Sequence, residues 1–119
     1  MIDARELRIG NFLLFEDNSV IEVRGIHPSG KYIHNGKQWI ELFRCNHIFL
    51  TDEELFKFGF RLNIDVWEFP NYLANAWIQL LSGSYFLGVE SHWMGCEIES
   101  VHQLQNLYFA LTGTELTIK

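Results

Sequence analysis

Two short segments carry the side chains best suited to chemistry. Cys45-Asn46-His47 and His92-Trp93-Met94-Gly95-Cys96 together hold two thiols and two imidazoles, the composition of a Cys2His2 zinc site. Zinc ligands commonly come as cysteine pairs about two to four residues apart and histidine pairs about three to five apart. Here each segment mixes the two types. A metal site on Cys45, His47, His92 and Cys96 therefore stands against a plainer reading, in which the cysteines are small buried hydrophobes and the histidines lie at the surface. A small enzyme using a His/Cys/Glu site is the related alternative, because either thiol could be activated by an imidazole that the fold brings beside it.

Other chemistry has less support. The chain has no Gly-x-Ser-x-Gly elbow, no phosphate-binding P-loop and no dinucleotide fingerprint, so no cofactor is expected. Asp52-Glu53-Glu54 opens a helix, where the macrodipole favours acids. Glu97 and Glu99 alternate along a strand and should share a solvated face.

The elements that must position these groups are short strands and two helices. In the first half, Leu7-Arg8-Ile9 and Phe12-Leu13-Leu14-Phe15 read as strands flanking a bend at Gly10-Asn11. Residues 20–26 form one β-branched run, and His27-Pro28-Ser29-Gly30 is a reversal. Asn35-Gly36 between residues 31–34 and 37–40 predicts a two-residue type I′ hairpin. Thr51 and Glu54 make a capping box, Leu50 and Leu55 a hydrophobic staple, and Gly59 a stop, which predicts a helix over 52–58. Further strands are expected at 65–69, 77–81, 85–89 and 96–98, with Ser82-Gly83-Ser84 as a turn.

The last helix, 101–112, is capped by Ser100 with Gln103 and ended by Gly113. Val101, Leu104, Leu107, Tyr108 and Leu111 form its apolar stripe. It carries no charged residue, whereas a free surface helix normally carries Glu and Lys. His102, Gln105, Asn106 and Phe109 thus suit an interface, either with the rest of the chain or with a second one. Trp39 and Trp93, each near polar or turn residues, are the aromatic candidates for a contact surface, since Trp is enriched at binding hot spots.

The whole reads as one α+β domain over 1–119, strand-rich at 5–48 and 60–99. Its early strands form a bent sheet or small SH3-like barrel, and its later ones an antiparallel sheet. Apolar residues are 48% and aromatic ones 15% of 119, enough for a core without staples. The net charge of −6 argues against phosphate-backbone binding, which leaves a nucleic-acid-associated small barrel as a lesser alternative. No stretch approaches the roughly 18 apolar residues of a membrane span, and the first residues lack the pattern of a signal peptide. The expected setting is the cytoplasm, with the cysteines reduced.

Glu6-Leu7-Arg8-Ile9-Gly10-Asn11, the stretch from Leu50-Thr51-Asp52-Glu53-Glu54-Leu55 to Phe58-Gly59-Phe60, and residues 101–113 (VHQLQNLYFALTG) together carry a resemblance. The chain resembles an uncharacterised short protein family of Bacteroidota phages and integrated mobile elements. The likeness covers both ends and the first helix, not 16–48 or 62–99. It implies a bacterial host cell as the setting and supplies no catalytic residues. Compact acidic proteins of this kind are more often interaction modules than enzymes, inhibitors of host defence or regulatory proteins among them, an association rather than a physical deduction. The functional expectation is a non-enzymatic protein-binding module with an unidentified host protein as partner, or a homodimer.

Overall fold

The computed structural model describes residues 2–64, 66–70, 76–89 and 92–116, without the side chains of residue 89 and residues 92–95. Two compact units form: Met1–Phe49 with Ser100–Asn106, and Leu50–Glu99 with Leu107–Lys119. Strands β1 (Phe12–Phe15), β2 (Val20–Glu22), β3 (Gly25–Ile26), β4 (Tyr32–His34), β5 (Trp39–Glu41) and β6 (Cys45–Asn46) belong to the first. Helix α1 (Asp52–Lys57) and strands β7 (Arg61–Asn63), β8 (Val66–Glu68), β9 (Ala76–Leu81), β10 (Ser84–Val89) and β11 (His92–Ile98) belong to the second. Helix α2 (Val101–Thr112) divides between them at residue 106. The class is α+β, with antiparallel sheets of three, three and five strands. No helix among the described residues is long and apolar enough to cross a membrane.

In the first unit one sheet has the order β2-β1-β6 and the other β3-β4-β5, and no sheet closes into a barrel among the described residues. The β-branched run 20–26 is split into two strands, because its backbone changes partners. The Val23 N–H donates to the Asn11 carbonyl at 2.8 Å, whereas the Arg24 N–H donates to the His34 carbonyl at 2.7 Å. The chain thereby passes from one sheet to the other at a corner. Leu13, Val23, Ile33, Ile40, Leu42 and Cys45 pack into the core of this unit, with Ile2 and Leu7.

Two further expectations are corrected here. Residues 7–9 form no strand: Ala4–Glu6 is a 3-10 turn, and Asn11 then closes a loop by accepting the Arg8 N–H on its Oδ1 at 2.7 Å. The Asn35-Gly36 turn is also wider than two residues, since β4 ends at His34, which pairs with Trp39. Asn35 Oδ1 accepts both the Lys37 and the Gln38 N–H at 2.9 Å, so a side-chain-closed turn replaces the type I′ geometry and only Gly36 has positive φ.

In the second unit α1 forms as its sequence dictates. Thr51 Oγ1 accepts the Glu54 N–H, and Leu50 and Leu55 are both buried. The Gly59 N–H donates to the Phe56 carbonyl and the Phe60 N–H to that of Leu55, a Schellman stop with Gly59 at φ 88°. The sheet order is β11-β10-β9-β8-β7. Its two-residue hairpin turn is Ser82-Gly83, both at positive φ. Beneath it Trp77 on β9 faces Gly88 on β10, and a Cβ at Gly88 would lie 2.1 Å from the indole. The ring occupies the place of the missing side chain. Gly88→Ala is therefore expected to displace Trp77 and to lower unfolding free energy by about 1–3 kcal/mol in a denaturant titration. A change within about 0.5 kcal/mol would show that the ring does not need that space.

Candidate metal centre and an exposed aromatic face

Three segments of the first unit bring a carboxylate and two imidazoles together. Asp3 caps the 3-10 turn that ends at Glu6 by accepting the Arg5 N–H. His47 follows β6, and the chain beyond it is tied to the start of α2, where the Val101 N–H donates to the Ile48 carbonyl at 2.8 Å. His102 lies in the first turn of α2, fixed by the reciprocal capping of Ser100 and Gln103. One donor atom from each of Glu6, His47 and His102 lies within 4.8 Å of the other two. The imidazoles of His47 and His102 stack with centroids 5.4 Å apart and planes inclined by 10°.

His102 is fully buried, with Nε2 3.1 Å from Glu6 Oε1 and Nδ1 3.3 Å from Ser100 Oγ. A neutral ring meets both contacts: Nε2–H donates to the carboxylate and Nδ1 accepts the Ser100 hydroxyl. Burial pushes His102 below its ordinary 6.5; Glu6 opposes this, and His47 adds to it. His47 Nδ1 is buried and has no hydrogen-bond partner among the described residues, a condition that costs about 1–3 kcal/mol if nothing fills it.

The rest of the helix face is committed to the same unit. Gln105 is buried; its Oε1 accepts the Phe12 N–H at 2.9 Å and its Nε2 donates to the Gly10 carbonyl at 3.0 Å. Asn106 Oδ1 accepts from Arg8 and from Asn11 Nδ2, each at 2.9 Å, and its Nδ2 donates to the Glu6 carbonyl at 2.7 Å. Of the two partners left open for this face, its own chain takes His102, Gln105 and Asn106. Phe109 remains exposed.

Among the other sequence candidates, Cys45 is buried in the apolar core, which pushes its thiol up, and Cys96 is exposed on β11. The side chains of His92 and Trp93 lie outside the described residues. Of the proposed cysteine and histidine set, His47 joins Glu6 and His102 instead. Glu6 had no spacing signal, lying 96 residues before its partner His102. Glu97 and Glu99 share a face as strand alternation requires, and Glu99 raises the Glu97 carboxyl.

A second feature lies on the outer face of the β3-β4-β5 sheet. Ile33 and Ile40 point inward, so Tyr32, His34 and Trp39 point outward. Trp39, 52% exposed, meets His27 and His34 edge-on at 5.6 and 5.0 Å, and His27 also meets Tyr32 at 5.8 Å. Both imidazoles are oriented through Nδ1, which accepts the Ser29 N–H in His27 and the Gly36 N–H in His34. Beside Tyr32 opens a cleft of about 260 Å³, floored by Ile2 and Leu42, walled by Tyr32 and Phe43, and flanked by Lys31 and Glu41.

The fold is of the α+β class, and both features lie in its first unit. Compared with family models, curated proteins and solved structures, the chain matches none.

The His102 shift carries a pH dependence. A buried ring whose folded value is depressed contributes stability that is present above 6.5 and is lost as pH falls through the lower folded value. Urea midpoints measured between about pH 8 and 5 should fall below pH 6.5 in the unaltered chain, and less steeply in His102→Gln. Parallel profiles for the two would refute the assignment.

Proposed function

We propose that the chain is a non-enzymatic protein-binding module whose contact surface is the outer face of the β3-β4-β5 sheet together with the cleft beside it. The observation that carries this reading is the continuity of the two: Tyr32 belongs both to the ring cluster and to the cleft wall. Strongest protein contacts are made by aromatic anchors at the centre of a patch that also offers a desolvated pocket. Trp39 supplies the anchor, and the cleft, with Phe43 65% exposed at its edge, receives an apolar side chain from the partner. Lys31 and Glu41 place opposite charges at the rim, where they set orientation more than affinity.

Charge does not select the partner's sign: residues 23–40 contain Arg24, Lys31 and Lys37 and no Asp or Glu, but Glu22 pairs with Arg24 at 2.9 Å and Glu41 stands with Lys31 at the cleft. A host protein as that partner, a mobile-element origin and a cytoplasmic setting belong to the same proposal and rest on the resemblance of the two ends and the first helix. A second copy of the chain is the competing occupant.

Affinity capture from bacterial lysate with the unaltered chain, Trp39→Ala, Phe43→Ala and Phe56→Ala separates these readings. Phe56, exposed on α1, serves as control. At least one protein should be retained by the unaltered chain and Phe56→Ala and lost with both other variants, each loss corresponding to 2 kcal/mol or more, roughly thirtyfold. Capture that ignores Trp39 and Phe43 would rule the surface out. Concentration-dependent dimerisation abolished by Trp39→Ala would assign it to a second copy.

A further inference from the structure

We propose that Glu6, His47 and His102 form a binding site for a divalent transition-metal ion of borderline softness, with zinc the best match. Two imidazole nitrogens and one carboxylate oxygen form a donor set that zinc, cobalt and nickel take readily, whereas magnesium and calcium prefer oxygen alone. The three donors converge within 4.8 Å from segments otherwise distant in sequence. Zinc bonds of about 2.0–2.1 Å at tetrahedral angles place ligand atoms about 3.3 Å apart, and His102 Nε2 and Glu6 Oε1 already stand 3.1 Å apart. Binding requires the half-buried His47 to turn relative to His102, with which it is stacked at 10°, and so to bring its nitrogen closer than the present limit of 4.8 Å.

The surroundings of the site are those of a ligand set. Binding takes His102 in its other tautomer: Nε2 gives its proton up in favour of the ion, and Nδ1, 3.3 Å from Ser100 Oγ, then carries the proton and donates to that hydroxyl, the outer partner that fixes a metal-bound imidazole. The neighbouring His47 carries a buried Nδ1 without a partner among the described residues, and no internal hydrogen bond has to be broken there for that ring to turn. Glu6 is 39% exposed, so the fourth position opens to solvent. Three protein ligands with one open position describe an exchangeable centre that takes water or an anionic donor, rather than a closed structural one.

The metal-stripped full chain is titrated by calorimetry with Zn²⁺, with Co²⁺, and with Mg²⁺ as a contrast. One zinc per chain is expected, with no response to magnesium. His47→Gln and Glu6→Gln, each verified as folded by circular dichroism, should weaken zinc binding at least about tenfold. Bound cobalt should show visible bands of four- or five-coordination without thiolate charge transfer in the near ultraviolet. In the unaltered chain, zinc should move the imidazole resonances of His47 and His102 and leave those of His27 and His34 in place, a readout that needs no variant. Absence of zinc binding at millimolar metal would overturn the proposal. So would thiolate bands, binding unchanged in both variants, or unmoved His47 and His102 signals. None of these outcomes bears on the Trp39 surface.

Discussion

Gln105 holds two backbone groups of the N-terminal segment at once, accepting the Phe12 N–H and donating to the Gly10 carbonyl. A primary amide can do this because it carries a donor and an acceptor on one rigid end. Neither lysine nor glutamate could, and a charge buried there without a counter-ion would cost several kcal/mol. The same requirement recurs at Asn106, which serves Arg8, Asn11 and the Glu6 carbonyl. The uncharged face of α2 is therefore a consequence of burial against its own chain. Of the four candidates on that face, His102, Gln105 and Asn106 are engaged within the chain, and Phe109 stays exposed.

The proposed metal centre depends on that clasp. It fixes residues 6–11, which form no strand of their own before β1, and so sets where the Glu6 carboxylate stands relative to His102. Asn11, fully buried, contributes at both levels: its Oδ1 closes the loop on Arg8 and its Nδ2 meets Asn106. A polar network in which the buried groups are paired specifies one arrangement of the chain, whereas an unpaired member is expensive. Asn11, Gln105 and Asn106 fit the first description. His47 Nδ1 fits the second, and this contrast marks out the imidazole pair.

Local chemistry was legible wherever side chain and backbone agreed over a few residues. Thr51 with Glu54, Gly59, and Ser100 with Gln103 fixed both helices almost to the residue, because caps act within one turn. Ser82-Gly83 was recognisable as a turn, and both residues adopt the positive φ that a two-residue hairpin needs. The Asn-Gly pair at 35–36 misled: the Asn35 side chain found two backbone donors of its own, and local hydrogen bonding of that kind competes with hairpin geometry. The break of 20–26 at Val23-Arg24 was hidden, since β-branched residues suit either sheet. The candidate centre was hidden for a different reason. Glu6, His47 and His102 are joined by tertiary folding alone, and no periodicity links positions so far apart.

Unfolding of Gln105→Leu tests most directly whether α2 is clasped to the N-terminal segment through its amides. Leucine keeps the volume and removes both hydrogen bonds, leaving the Phe12 N–H and the Gly10 carbonyl without their partner. Loss of about 2 kcal/mol or more in urea-induced unfolding is the result predicted. Stability equal to or above that of the unaltered chain would contradict it, and would return the uncharged helix face to the list of surfaces awaiting a partner.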